Sequence, residues 1–369
     1  MKRFSLISLA VLAGASVFGA KKAPMVTNVE PPYWWTGMSN DTLQVMLTGP
    51  GIAEASASVD YPGVTLPESV ALDSPNYKLL YLVIGRDARP GTMPLSLKLG
   101  GRKTTVGYEL KARDRKPEEY EGFSAADVLY LLMPDRFAQG GDKPLEARLR
   151  NEAEIDRSQP STRHGGNIEG IRKHMDYLDS LGVTAIWACP VLENDMPGGS
   201  YHGYATTDYY RIDPRFGSNQ EWADMVADAH GRGMKVVMDM IFNHTGSEHP
   251  WMKDMPSKDW YNHPEGDVLT NFRLSTLHDP YVSDYDLDHT VNGWFVTAMP
   301  DLNQRNPHVM KYLTQNSIWW IESSKINGIR MDTYPYADMK AMSQWAKDVL
   351  EEYPNFNIVG ECWYGNEAG

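Results

Sequence analysis

Three carboxylate residues lie in or directly after short apolar runs that predict β-strands. The runs read VVMDM around Asp239, GIRMD ending in Asp332 and NIVGE ending in Glu361. The carboxyl ends of parallel barrel strands converge on one mouth, so these three side chains are expected to face one pocket. Two carboxyl groups in a pocket can cleave a glycosidic bond, one attacking the sugar carbon and the other protonating the leaving oxygen. Their separation, which decides between retention and inversion, is not readable from sequence.

Arg330 stands two residues before Asp332. Residues two apart on a strand point to the same face, so the guanidinium is expected beside the Asp332 carboxylate. An adjacent cation favours the ionised carboxylate, which suits a nucleophile. Glu361 has no neighbouring cation in the sequence, which suits a protonated acid.

Strand-like and helical patterns alternate from residue 123 onward, and this alternation predicts a parallel sheet. Helix starts are indicated by Asn167, by Ser218 with Glu221 in a capping box, and by Asn306 with Pro307. About five strand–helix units fit an incomplete (β/α)8 TIM barrel, in the α/β class. A polar, aromatic-rich stretch at about residues 245–296 is too long for an ordinary loop and predicts an inserted subdomain.

Residues 21–115 show short apolar runs separated by Gly and Pro turn signals, without a sustained helical period. This pattern predicts an all-β, immunoglobulin-like sandwich. The predicted organisation is therefore a sandwich at 21–115 followed by the first part of a catalytic barrel at 116–369.

Residues 1–20 combine the positive Lys2 and Arg3 with a short apolar stretch and small residues, and they are interpreted as a signal peptide. The mature protein is then expected to be periplasmic or secreted, without membrane insertion. A net charge of −13 argues against nucleic acid as a partner. Two distant cysteines exclude a disulfide framework.

Several motifs together resemble those of the α-amylase family of glycoside hydrolases. They are DMIFNH at residues 239–244, GIRMD at 328–332, GECW at 360–363, MPDLN at 299–303 and YHGYATTDYYRIDPRFG at 201–217. The MPDLN variant and the long motif are similar to those of neopullulanases and cyclomaltodextrinases, which also carry an N-terminal β-sandwich. The order and spacing of the motifs make the resemblance specific.

The resemblance implies roles for individual residues. Asp332 is the nucleophile, Glu361 the general acid/base, and Arg330 orients Asp332. The other substrate-binding candidates are His244, His202, Tyr204, Asp239, Asn243 and Trp363. Among them His244 and His202 hydrogen-bond the sugar and Tyr204 stacks on it, whereas Asp239 and Asn243 look more like scaffold.

The implied activity is retaining hydrolysis of α-1,4-glucosidic bonds in starch, pullulan or cyclodextrins. A catalytically impaired α-glucan-binding protein and a transglycosylase on the same scaffold remain alternatives. The family's third catalytic carboxylate follows a later strand and is absent from these 369 residues, so this chain is expected to be inactive or weak. A homodimer is a further possibility that relatives suggest.

No cofactor is expected to be required, but calcium is kept as a candidate. Asp135 and Asp142 lie in PDRFAQGGD after the first barrel strand, where oxygen ligands clustered on a loop could bind Ca²⁺.

Overall fold

The structure is a computed structural model that describes residues 24–143, 149, 151 and 154–363. The predicted signal peptide at residues 1–20 lies outside the described residues. Among those described, no helix has the length and apolar content to span a bilayer.

The N-terminal part folds into two four-stranded sheets, in the orders β1-β3-β6-β5 and β2-β8-β7-β4. The strands are β1 (Asn28–Glu30), β2 (Trp34–Trp35), β3 (Thr42–Thr48), β4 (Ser56–Val59), β5 (Val64–Ala71), β6 (Tyr77–Ile84), β7 (Gly91–Leu99) and β8 (Arg102–Lys111). Strand β7 buries Met93, Leu95 and Leu97 while the residues between them are partly or fully exposed. This two-residue period is typical of a strand with one face on a core, and it explains why turn signals and apolar runs sufficed to predict the sandwich.

The second part contains a five-stranded sheet in the order β15-β14-β13-β10-β9, in which every pairing is parallel. Its strands are β9 (Leu129–Leu132), β10 (Ala185–Ala188), β13 (Lys235–Ile241), β14 (Gly328–Asp332) and β15 (Asn357–Gly360), and a separate hairpin pairs β11 (Leu192–Glu193) with β12 (Asp208–Ile212). The helices are α1 (Pro134–Phe137), α2 (Ile168–Lys173), α3 (Met175–Ser180), α4 (Asn219–His230), α5 (Pro250–Lys253), α6 (Asp284–Val291), α7 (Pro307–Ser324) and α8 (Met339–Glu352). Sequential parallel strands linked by helices are the pattern of a (β/α) barrel, so the predicted fold class is confirmed.

One predicted helix is divided in two. The spacing of Ile171, Met175 and Leu178 predicts one helix from the Asn167 cap to Gly182, but in the structure α2 ends and α3 begins at His174. The ring Nδ1 of His174 lies 2.8 Å from the Gly170 carbonyl oxygen, the acceptor that a continuous helix would offer to the His174 amide. That amide donates instead to Ile171.

The stretch between β13 and α7 contains α5, a 3-10 helix at Leu274–His278 and α6, joined by irregular segments. Trp251, Trp260 and Trp294 are all buried in it. The bulky indoles thus form a core for this excursion, and Trp251 also joins it to the barrel. Trp251 lies edge-on to Tyr312 of α7.

Candidate active site

The parallel register brings the strand-end side chains into one row. Asp239 of β13 is the direct partner of Arg330 on β14, and Met331 pairs with Gly360 at the end of β15. Glu361 follows immediately, and its amide donates to the Met331 carbonyl at 2.9 Å. The ends of three adjacent strands therefore supply the three predicted carboxylates.

A single guanidinium contacts all three carboxylates. Arg330 Nη1 donates to Asp239 Oδ1 at 2.8 Å and to Asp332 Oδ1 at 2.7 Å. Its Nη2 lies 2.5 Å from Glu361 Oε1. Three carboxylates and one cation would carry a net charge of −2, and Arg330, Asp239 and Asp332 are buried. Such a cluster favours retention of a proton, because burial and like charges both oppose full ionisation.

Thr333, the residue directly after β14, forms hydrogen bonds to both Asp332 and Glu361. Thr333 donates its hydroxyl to Asp332 Oδ2 at 2.6 Å and its amide to Glu361 Oε2 at 2.8 Å. Thr333 has a φ of 52°, an uncommon conformation for a β-branched residue. This strained turn aims both donors at the carboxylates.

The electrostatics agree with shared protonation. Burial raises the pKa of Asp239 to about 7, with Arg330 opposing the rise and Asp332 adding to it. Burial also raises the pKa of Glu361, followed by the charge of Asp332, while Thr333 and Arg330 pull it down. No cation neighbours Glu361 in the sequence, but strand pairing brings Arg330 beside it in the structure. The raised pKa still suits a proton donor.

Asp239 has two further donors. Trp187 of β10 donates its indole N–H to Asp239 Oδ2 at 3.0 Å, and the Tyr204 hydroxyl donates to the same oxygen at 3.2 Å. The Arg330 guanidinium carbon lies 5.3 Å from the Trp187 ring centroid, within cation–π range. Sequence reasoning missed Trp187. The parallel pairing of β10 with β13 could have indicated it, because Trp187 lies opposite Val237, two residues before Asp239, and so faces the same side of the sheet.

Tyr204 and His202 lie beside this cluster on the segment between β11 and β12. The ring of Tyr204 is 5.7 Å from the Arg330 guanidinium carbon, and its amide donates to His202 Nδ1 at 2.9 Å. Both side chains are half-buried. The structure thus places them at the site, while their predicted contacts with a sugar remain predictions.

His244 is buried, and the protein itself engages both of its ring nitrogens. Nδ1 lies 3.0 Å from Asn243 Oδ1 and Nε2 lies 2.9 Å from the Tyr204 carbonyl oxygen. Burial lowers the pKa of His244 to about 4, so the ring is neutral and its single N–H donates to only one of these two oxygens. Asn243 in turn donates to Asp301 Oδ1 at 2.9 Å. A hydrogen bond from His244 to a sugar would replace one of these contacts.

Aromatic side chains border the cluster on the Glu361 side. A small cavity beside Glu361 is lined by Phe295, Tyr336 and Trp363, together with Thr333 and Pro335. Phe295 stacks on His244 with ring centroids 5.6 Å apart, and Trp363 is 66% exposed. Phe295 and Tyr336 were not predicted as site residues, because the excursion and the turn after β14 bring them together only in three dimensions.

The two predicted calcium ligands, Asp135 and Asp142, differ in how many hydrogen-bond donors of the protein already contact their carboxylates. Asp135 Oδ2 accepts from Arg136 Nε and from the His164 amide, both at 2.8 Å. Its Oδ1 accepts from the Gly165 amide at 3.2 Å, with Arg163 3.7 Å away. These donors occupy Asp135, so it does not fit a calcium ligand. Asp142 accepts from Gln139, and no cluster of three or more His, Cys, Asp or Glu residues with metal-binding geometry occurs in the described part of the chain.

Both cysteines are free thiols in the described structure. Cys189 is buried below Tyr204, whose hydroxyl is 3.8 Å from its sulfur, and Cys362 is exposed beside Glu361.

Comparisons with known proteins match both parts of the chain. The family model for the alpha amylase catalytic domain matches residues 131–368, and the model for the cyclomaltodextrinase N-terminal domain matches residues 28–114. These ranges cover the parallel sheet with its carboxylate cluster and the two N-terminal sheets.

Individual relatives carry related names. An intracellular maltogenic amylase of Bacillus subtilis is 31% identical over 249 residues, covering 65% of this chain and 38% of that protein. Neopullulanase 2 of Thermoactinomyces vulgaris is 30% identical over 244 residues, covering 64% and 39%. The matched region therefore spans well under half the length of these relatives.

A solved structure shows the same fold. The alpha-amylase of Geobacillus thermoleovorans in complex with acarbose superposes with a TM-score of 0.52 at 32% identity, covering 65% of this chain and 47% of that chain.

Proposed function

Because this chain belongs to the alpha-amylase catalytic domain family, we propose that the protein hydrolyses α-1,4-glucosidic bonds in starch, pullulan or cyclodextrins with retention of configuration. The single observation that carries the proposal is the contact of one guanidinium, Arg330, with the Asp332 and Glu361 carboxylates at the ends of adjacent strands.

The chemistry follows from the different surroundings of the two acids. Asp332, hydrogen-bonded by Arg330 and the Thr333 hydroxyl, attacks the anomeric carbon and forms a covalent glycosyl ester. Glu361, whose pKa is raised by burial, gives its proton to the leaving oxygen as that bond breaks. It then takes a proton from water, which hydrolyses the ester and restores both carboxyl groups.

The relatives support the substrate class. Cyclomaltodextrinase, neopullulanase and maltogenic amylase are the names of proteins about 30% identical to this chain, and each name indicates an α-glucan substrate. The preference among starch, pullulan and cyclodextrin is part of the proposal, since the aligned segments cover only 38–39% of those proteins.

Reducing-sugar release from soluble starch, pullulan and cyclodextrin tests the activity, and panose from pullulan would specify neopullulanase action. Asp332→Asn keeps the shape of the side chain but removes the nucleophilic charge. We expect it to lower kcat by at least about a thousandfold, the scale on which enzymes lose rate with a nucleophile, while starch binding persists. Turnover retained in this variant would refute the nucleophile assignment.

A second candidate function, α-glucan binding without cleavage, is favoured by one observation. The 2.5 Å contact of Arg330 with Glu361 opposes the rise in the pKa of Glu361, and an ionised Glu361 could not donate a proton. Starch binding without sugar release from any of the three substrates would support this alternative.

Three further features remain proposals. We propose export of the protein by its N-terminal segment, a homodimer, and activity without a required cofactor, with calcium kept as a candidate. Cell fractionation, sedimentation velocity and metal analysis of the purified protein test them in turn.

A further inference from the structure

A chain of hydrogen bonds leads from the site into the protein interior. It joins the carboxyl group of Asp301, through the side-chain amide of Asn243, to the ring of His244, and all three side chains are buried. We call these three residues the buried triad. Asp301 belongs to the MPDLN motif, and the proposed reaction gives it no role so far.

At one end of the buried triad, the ring nitrogen Nε2 of His244 needs a hydrogen. Nε2 lies 2.9 Å from the backbone carbonyl oxygen of Tyr204, which can only accept a hydrogen bond. Without a hydrogen on Nε2, two lone pairs would face each other at this distance. The hydrogen of His244 therefore belongs on Nε2.

At the other end, Oδ2 of Asp301 is an acceptor. Asn262 Nδ2 donates to it at 2.7 Å. The orientation of the Asn262 amide is fixed, because Arg305 Nη2, which can only donate, lies 2.7 Å from the Asn262 oxygen. Any proton on Asp301 therefore lies on Oδ1, which is 2.9 Å from the Asn243 amide.

Between these ends, the Asn243 amide has two possible orientations, and each requires one additional proton. In the structure its nitrogen faces Asp301 Oδ1 and its oxygen faces His244 Nδ1 at 3.0 Å. Nδ1 must then carry a hydrogen as well, which gives an imidazolium ring and an ionised Asp301. A half-turn of the amide exchanges its oxygen and nitrogen. The nitrogen then donates to a bare Nδ1, and the oxygen accepts the hydrogen of a protonated Asp301.

Burial distinguishes these two states. The first places two charges in the protein interior and the second places none, and taking a charge out of water is costly. Burial raises the pKa of Asp301 well above its usual range and lowers the pKa of His244 to about 4. Both shifts favour the uncharged state with the turned amide.

The charged groups around the buried triad act less strongly than burial. Against the larger effect of burial, Arg305 pulls the pKa of Asp301 down, whereas Asp288 of α6 adds to the rise. Glu361 favours a charged His244, but by less than burial opposes it.

We propose that Asp301 is a protonated acid at neutral pH and that it acts through the turned Asn243 amide as a positioning residue, which holds the hydrogen of His244 on Nε2. The part of this N–H in sugar binding rests on the proposed function. Nε2 can leave the Tyr204 carbonyl oxygen and donate to a sugar hydroxyl without any change of protonation. An ionised Asp301 would turn the amide back, draw the hydrogen to Nδ1 and remove this donor.

The first test locates the hydrogen on the ring. Long-range ¹H–¹⁵N NMR spectra of the full chain, labelled with ¹⁵N-histidine, distinguish a hydrogen on Nδ1 from one on Nε2. The signals of His244 are those that disappear in His244→Gln. We expect a neutral ring with its hydrogen on Nε2 in the wild type at neutral pH. An imidazolium ring, or a hydrogen on Nδ1, overturns the inference.

Asp301→Asn supplies permanently the donor that a protonated Asp301 provides. The new amide nitrogen can donate to Asn243 while its oxygen accepts from Asn262. We expect His244 in this variant to keep its hydrogen on Nε2 at every pH. A ring with its hydrogen on Nδ1 in the variant contradicts the proposal. If the variant fails to fold, the wild-type spectrum alone decides.

The pH dependence of unfolding gives an independent readout. A carboxyl group whose pKa is raised in the folded state lowers stability as pH rises above its unfolded value, here 3.8. Between about pH 5 and 8, the unfolding constant of the wild type should rise relative to that of Asp301→Asn by up to about tenfold per pH unit, the value for one proton.

The matched control for this readout is Asp259→Asn. Asp259 Oδ1 also accepts from an asparagine side chain, Nδ2 of Asn306 at 3.0 Å, but Asp259 is exposed. We expect the pH-dependent ratio for Asp301→Asn only. A ratio that does not change with pH for Asp301→Asn would mean that Asp301 is ionised in the folded protein, which overturns the inference.

Neither measurement depends on turnover, so failure of the proposed function is separable from failure of this inference. A protein that releases no sugar but has the His244 hydrogen on Nε2 retains the protonated Asp301 and lacks the hydrolase activity. A protein that releases sugar with an imidazolium at His244 is a hydrolase in which Asp301 lacks this role.

Discussion

At the scale of single residues, the main feature of the site is that three carboxylates share the guanidinium of Arg330. Arg330 has three carboxylate partners, and Asp239 receives additional donors from Trp187 and Tyr204. Donors to Asp239 stabilise its ionised form and thus favour the proton on Glu361, whose pKa is raised. If the proposed mechanism holds, Trp187 is a positioning residue that acts through its hydrogen bond to Asp239.

Trp187→Phe removes the indole donor and keeps an aromatic ring. A hydrogen bond to a charged group contributes about 1.5–3 kcal/mol, so the pKa of Asp239 should rise from about 7 by about one unit or more. Since Asp239 then holds a proton at neutral pH, the acidic limb of the kcat/KM profile should move to higher pH.

The matched control is Trp260→Phe, because the buried Trp260 indole N–H has no hydrogen-bond partner in the described structure. A uniform loss of activity at every pH in Trp187→Phe, without a shift of the limb, would indicate a packing role only.

At the scale of elements, helix caps decide where the barrel helices begin. Ser218 Oγ accepts the Glu221 amide at 3.2 Å, while Glu221 Oε2 accepts the Ser218 amide at 2.8 Å. This reciprocal box opens α4, whose buried face includes Trp222, Met225 and Val226. A similar serine, Ser283, opens the short helix α6 in the excursion.

Ser218→Ala should lower the free energy of unfolding by about 1 kcal/mol, the usual contribution of an N-cap side chain. Ser283→Ala removes a comparable 3.1 Å bond to the Asp286 amide, but α6 buries only Thr290. We expect the second variant to have a smaller effect on global unfolding, measured by urea titration. Equal losses would show that α6 unfolds together with the barrel.

At the scale of the whole molecule, polar contacts join the sandwich to the barrel. The backbone N–H of Gln44 donates to the side-chain oxygen Oε1 of Gln315 at 2.7 Å. The side-chain Nε2 of Gln315 donates back to the backbone carbonyl oxygen of Gln44 at 2.7 Å. Arg113 lies 2.6 Å from both Glu322 and Glu352. Because these groups are largely buried, their hydrogen bonds and ion pairs fix how the domains dock.

Gln315→Ala leaves the Gln44 backbone groups without their side-chain partner in a buried seam. Each unsatisfied buried group lowers the free energy of unfolding by roughly 1–3 kcal/mol. The variant should therefore show a lower Tm by calorimetry, with one domain unfolding at a lower temperature than in the wild type. Gln344→Ala on the neighbouring helix α8 is the control, since its side chain is exposed. An unchanged Tm in Gln315→Ala would mean that the seam adds little to stability.

The sequence by itself determined the class of each part and the candidates for chemistry. Short apolar runs separated by turn signals predicted the sandwich, and cap residues such as Ser218 and Asn306 marked real helix starts. Asp332 and Arg330 were predicted as neighbours because two residues on one strand face the same side, and their 2.7 Å contact agrees. Such features are local, so periodicity and spacing suffice to find them.

Only the tertiary structure decided which groups from different elements meet. Strand pairing placed Arg330 beside Glu361, and the adjacent β10 supplied Trp187 to Asp239. The contact of His244 Nε2 with the Tyr204 carbonyl oxygen likewise joins segments that are distant in sequence. The physical reason is that pKa values and hydrogen-bond partners depend on burial and on cross-strand neighbours, which no single stretch of sequence contains.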